Sequence, residues 1–105
     1  MTTYTVKLGR NRGKRRIWLE GKRLSDNGWQ AKETPYFVDR TPTRSNRPTL
    51  RLVRSWTGDK RVSGKADKPI IDICTVWLED FFWPDTERLE VSITRETITI
   101  RPEGY

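Results

Sequence analysis

The chain has 105 residues, enough for one core and little more. Hydrophobic and charged residues each make up 33%, a balance that borders on disorder, but five Trp, three Tyr and three Phe exclude it, because disordered chains are poor in large aromatics. Residues 1–54 carry 14 Lys and Arg against 4 Asp and Glu, a net +10, whereas residues 55–105 carry 7 against 10, a net −3; a basic half of this size gathers polyanions.

In chain order, Tyr4–Leu8 alternates and is β-branched, which predicts a strand. Gly9–Gly13 predicts a basic, glycine-flanked turn or loop, and Arg15–Leu19 a second strand. Lys22–Asn27 fits a short helix closed by Gly28, since glycine tolerates the left-handed conformation beyond a helix end. Pro35 opens a strand through Val38, a polar loop with Pro42 and Pro48 follows Asp39, and Thr49–Val53 alternates again. Trp56–Lys68 is rich in turn residues, and Ile70–Ile73 predicts a buried strand. Cys74 ends that apolar run; with no second cysteine and no histidine to activate it, it is expected to be a small core residue. Thr75–Trp83 predicts a short helix stopped by Pro84. Leu89–Ile93 and Thr97–Ile100 alternate around Thr94–Glu96, which predicts a hairpin.

The halves align at an offset of 54 residues. Ile17 falls on Ile71, Leu19 on Ile73, Leu24 on Leu78, Trp29 on Trp83, Glu33 on Glu87 and Phe37 on Val91. After a six-residue insertion in the first half, Leu50 and Leu52 fall near Ile98 and Ile100. Each copy reads strand, short helix, strand, turn, strand; neither buries its apolar face alone, so one domain spans 1–105, with repeats at about 4–54 and 58–102.

The second copy resembles the SymE-like toxins of the AbrB-like swapped-hairpin superfamily. The resemblance rests on Pro69, Ile71, Ile73, Trp77, Leu78, Glu79 and Trp83, and on the hairpin residues Leu89, Val91, Ile93, Ile98 and Ile100 before Arg101-Pro102. The first copy keeps Leu19, Gly21, Leu24, Gly28 and Trp29. Thr75 and Phe82 replace the family's two glycines in the second copy, and Arg23 replaces its Trp in the first. The resemblance implies a mainly β fold with short helices, in which two β-α-β-β repeats close one pseudo-twofold barrel, and it implies nucleic-acid binding. It also implies that arginines on the loop and strand before the short helix contact the ligand: here Arg10, Arg12, Lys14, Arg15 and Arg16, with Lys22 and Arg23 at the helix start. Arginine suits phosphate because its planar fork donates two hydrogen bonds at once. Lys60 and Arg61 in the second copy, and Arg40, Arg44 and Arg47 in the polar loop, form a secondary set. Trp29 and Trp83 hold matched positions and are expected in the core; Trp56 is the better candidate for stacking on an unpaired base.

Catalysis is not expected. The chain has no histidine for proton transfer near neutral pH, no phosphate-binding glycine loop and no zinc-ligand spacing. Glu79-Asp80 are adjacent, so on a helix they diverge and do not share an ion. No cofactor is expected. The expected partner is DNA or RNA, bound by a monomer acting as a pseudo-dimer, or by a homodimer. One alternative is a small phage or mobile-element inhibitor that docks on an acidic or nucleic-acid-binding face of a host enzyme; a second, from the resemblance alone, is an RNA-cleaving toxin. No apolar stretch approaches the roughly 20 residues of a membrane helix and no secretory signal is evident, so the expected site is the cytosol, away from membranes.

Overall fold

A computed structural model describes residues 1–40 and 48–103. Alternation along the chain becomes alternation between a buried and a solvated sheet face. Ten strands result among the described residues: β1 (Thr2–Lys7), β2 (Gly9–Asn11), β3 (Lys14–Glu20), β4 (Pro35–Asp39), β5 (Leu50–Arg54), β6 (Lys60–Arg61), β7 (Ser63–Lys65), β8 (Lys68–Ile73), β9 (Arg88–Ile93) and β10 (Thr97–Pro102). Two four-residue helices join them, α1 (Lys22–Ser25) after β3 and α2 (Leu78–Phe81) after β8. One sheet has the order β1-β9-β10-β5-β4-β6 and the other β2-β3-β8-β7, with every pairing antiparallel.

The core lies between the sheets. Leu50, Leu52, Leu89, Val91, Ile93, Ile98 and Ile100 face Ile17, Leu19, Ile71 and Ile73, and the helices add Leu24 and Leu78. The chain passes from one sheet to the other through α1, through α2 and at two tight corners. Leu8, between β1 and β2, donates its N–H to Glu87 O at 2.8 Å, and Val62, between β6 and β7, donates to Thr34 O at 3.0 Å. Both side chains are buried there.

The mainly β class stands, but the expected closed barrel does not form. Among the described residues no ladder joins the edges of the two sheets; the strands that turn the corners change sheets instead, as in packed sandwiches.

Four local expectations also change. Gly9–Gly13, expected as a turn or loop, holds strand β2 as well as a two-residue turn, closed by the Asn11–Lys14 pair. Phe37, aligned with buried Val91, faces outward, and it is Tyr36 that enters the core. Trp29 is fully buried, yet its sequence match Trp83 is only partly buried and Phe82 takes the interior place. Cys74 is likewise partly exposed, because it continues the outward phase after Ile73.

Burial pushes the Tyr36 hydroxyl up to about 12 from the usual 10.0, aided by the negative charges of Asp59 and Asp72. A raised pKa means that the folded state holds this proton more tightly than the unfolded chain. Its contribution is therefore complete below pH 10 and is lost as pH climbs toward 12. Thermal melts should show the wild type losing stability relative to Tyr36→Phe, which cannot ionise, over that window.

Candidate nucleic-acid interface

At the β2–β3 tip, Arg12 and Gly13 have φ of 55° and 82°. Two positive values in a two-residue loop give a turn whose twist matches the strands it joins. Arg10, Arg12 and Lys14 are exposed there. Arg10 Nη1 donates to Gly13 O at 3.3 Å, and none of the three has a carboxylate within ion-pair distance among the described residues.

Arg15 and Arg16 do not join them. Arg15 is in phase with Ile17 and Leu19, so it points inward and is 4% exposed. Its guanidinium donates to Phe82 O at 3.2 Å, and to Trp83 O and Pro84 O at 3.0 Å each, while its backbone N–H donates to Glu79 Oε1 at 2.7 Å. It straps β3 to the segment after α2 and has no fork left for a phosphate. Arg16 faces outward but holds Asp72 with two bonds, at 2.8 and 2.9 Å, and its guanidinium carbon lies 4.3 Å from the Trp18 ring centre. Its charge is already neutralised.

Lys22 and Arg23 lie beyond the far end of β3, on α1, roughly 20 Å from the tip at about 3.3 Å per residue. Lys22 is 4.0 Å from Asp26, and Arg23 stacks over Tyr4 at 4.1 Å. The expected single basic cluster is thus two patches. Gly28 closes the helix, as the sequence predicts. With φ 88° it donates to Ser25 O at 3.0 Å while Trp29 donates to Leu24 O at 2.9 Å, the paired bonds of a glycine-terminated helix. Asn27 Nδ2 then reaches Thr2 Oγ1 at 2.9 Å, and Thr2 pairs with Ile93. That places α1 beside the β9–β10 turn, where two further cations lie that local pattern does not bring together. Arg54 donates from Nη1 to Gly28 O at 2.8 Å, and both Arg54 and Arg95 come within 4 Å of the point where a Cβ on Gly28 would sit.

No family model, curated protein or solved structure matches this chain.

Of the secondary set, Arg40 lies over Trp77 at 4.6 Å, near α2. Arg44 and Arg47 fall outside the described residues. Lys60 is exposed on β6, and Arg61 donates to the carbonyls of Lys32 and Glu33 at 3.5 and 3.3 Å. Trp56 is 92% exposed. Among the described residues no group of three His, Cys, Asp or Glu could hold a metal ion, and no helix is long and apolar enough to cross a membrane.

Proposed function

We propose that this chain is a non-catalytic nucleic-acid-binding protein, similar to the SymE/AbrB-like group and built from two diverged copies. The observation that carries the binding is the β2–β3 tip, a two-residue turn that projects Arg10, Arg12 and Lys14 with no carboxylate among the described residues to neutralise them. A charged tip on a fixed hairpin contacts phosphates with little ordering cost.

What supports the two-copy reading is register. The β3–β8 pair sets Trp18 opposite Asp72, the residue 54 places on. The β5–β10 pair sets Arg51 opposite Thr99, 48 places on, the offset left by the six-residue insertion. Asn11–Lys14 and Lys65–Lys68 close the two outer hairpins 54 residues apart, as Leu8 and Val62 mark the two corners. One residue fewer between Leu78 and Phe82 would shift the next strand to an offset of 53. Tyr36 then matches Leu89 and Val38 matches Val91, which reconciles the outward Phe37.

The test is a gel-shift with duplex DNA, single-stranded DNA and RNA at several salt concentrations. With Arg10, Arg12, Lys14, Lys22 and Arg23 each on a phosphate, log affinity for duplex should fall with log salt at a slope of about −4 to −5. Arg12→Ala with Lys14→Ala should flatten that slope by about 2 and weaken all sequences alike. No shift on any of the three, even at low salt, would overturn the reading in favour of an acidic protein partner.

A further inference from the structure

Trp56 is 92% exposed, and the turn that carries it is tightly held. Ser55 donates its N–H to Pro35 O at 3.2 Å, Gly58 donates to Ser55 O at 2.8 Å, and the Ser55 and Thr57 hydroxyls lie 3.0 Å apart. Gly58 lies so close against β4 that a Cβ there would come within 2.4 Å of Tyr36 C and O. A large indole is therefore held in solvent by a fixed backbone. Solvation alone gives no reason for that, whereas a rigid aromatic loses little entropy when a flat partner covers it.

Two residues back is Arg54, whose Cα lies within about 7 Å of that of Trp56 along the chain. Its guanidinium and that of Arg95 converge on Gly28, where the missing side chain leaves room for both: a Cβ would be 3.0 Å from Arg54 Nη1 and 3.9 Å from Arg95 Nη1. Like charges repel, and the carboxylates nearest in sequence, Glu96 and Asp59, form no ion pair with either. Glu96 contributes only its carbonyl, which accepts the Arg54 N–H at 2.9 Å. Two converging, uncompensated guanidiniums favour a bound oxyanion between them.

We propose that this end of the molecule binds single-stranded nucleic acid, with a phosphate between Arg54 and Arg95 and the neighbouring base stacked on Trp56. The inference rests on the nucleic-acid reading and adds a strand preference to it. Stacking requires an open base face, which a duplex does not offer, so the site discriminates single strands from duplex without reading sequence.

The experiment is fluorescence anisotropy with a labelled oligothymidylate of about 12 nucleotides, which covers a typical single-strand site, and with a duplex of equal length. The variants are Trp56→Ala, Trp56→Phe, Arg95→Gln and the Arg12→Ala/Lys14→Ala pair. Trp56→Ala should weaken oligothymidylate binding by about ten-fold or more and leave duplex affinity unchanged. Trp56→Phe should retain most of the single-strand affinity, and Arg95→Gln should lower the single-strand salt slope by about 0.7. The tip pair should weaken duplex binding in every case. Unchanged oligothymidylate affinity in Trp56→Ala, or duplex binding without oligothymidylate binding in the wild type, overturns this inference and leaves the broader reading standing. Binding to neither of these overturns this inference, and no shift of RNA either overturns both.

Discussion

Arg15→Ala should cost about 2–4 kcal/mol, from losing several hydrogen bonds of one charged group together, although Arg15 sits in a run of basic residues. Its guanidinium satisfies three consecutive carbonyls, those of Phe82, Trp83 and Pro84. Hydrogen bonds to a charged group contribute about 1.5–3 kcal/mol each, and three on one fork do not add in full. Truncation also leaves the buried Phe82 O without this donor, whereas Trp83 O keeps the Thr86 N–H at 3.0 Å. Arg15→Lys should recover less than half of the loss, because a single ammonium cannot match the spread of the fork. Urea melts check both variants. At a temperature where wild type and variant are folded, Arg15→Ala should bind nucleic acid with the same salt slope, since this side chain is not a phosphate ligand. A loss of under about 1 kcal/mol, near the net value of one ordinary hydrogen bond, together with a flattened slope, would show that the side chain swings out to the ligand.

Much of the strand pattern was legible because β-branched alternation maps directly onto a half-buried sheet. The β9–β10 hairpin and the buried faces of β3, β5 and β8 follow from it. The Gly28 helix end followed from the left-handed conformation that glycine allows. The β2–β3 turn was expected, but not strand β2 leading into it or its two-residue form, because Arg12 occupies a positive-φ position where asparagine is the usual signal. The burial of Arg15 does have a signal in the sequence, since it shares the phase of Ile17 and Leu19, although its charge favours the surface. Arg54 and Arg95 stand 41 positions apart in sequence and meet only through the β9–β10 turn and Gly28, so local pattern could not join them. The pairing of Arg16 with Asp72 is equally non-local, set by the β3–β8 ladder.

Trp29→Ala should be among the most damaging substitutions, costing about 3–5 kcal/mol as a buried aromatic. Its ring is fully buried, stands edge-on to Tyr36 at 5.9 Å, and donates from Nε1 to Thr94 O at 2.8 Å. That bond ties the α1 end to the β9–β10 turn, and the residue also follows Gly28 at the helix end, over Leu24. Truncation therefore opens a cavity, strands a carbonyl and loosens a helix cap together. Its sequence match at an offset of 54 should behave differently. Trp83 is partly exposed, so Trp83→Ala should cost about 1–2 kcal/mol, in the range of ordinary point substitutions. Phe82 is 3% exposed and packs edge-on against Phe81 at 5.1 Å, so Phe82→Ala should approach the cost at Trp29. Urea melts of the three variants at constant slope m give the order directly. Phe82 costing more than Trp83 would place the one-residue shift between the proposed copies before this position. Trp83 equalling Trp29, with Phe82 tolerant, would return the alignment to 54 here and remove the account given for the outward Phe37.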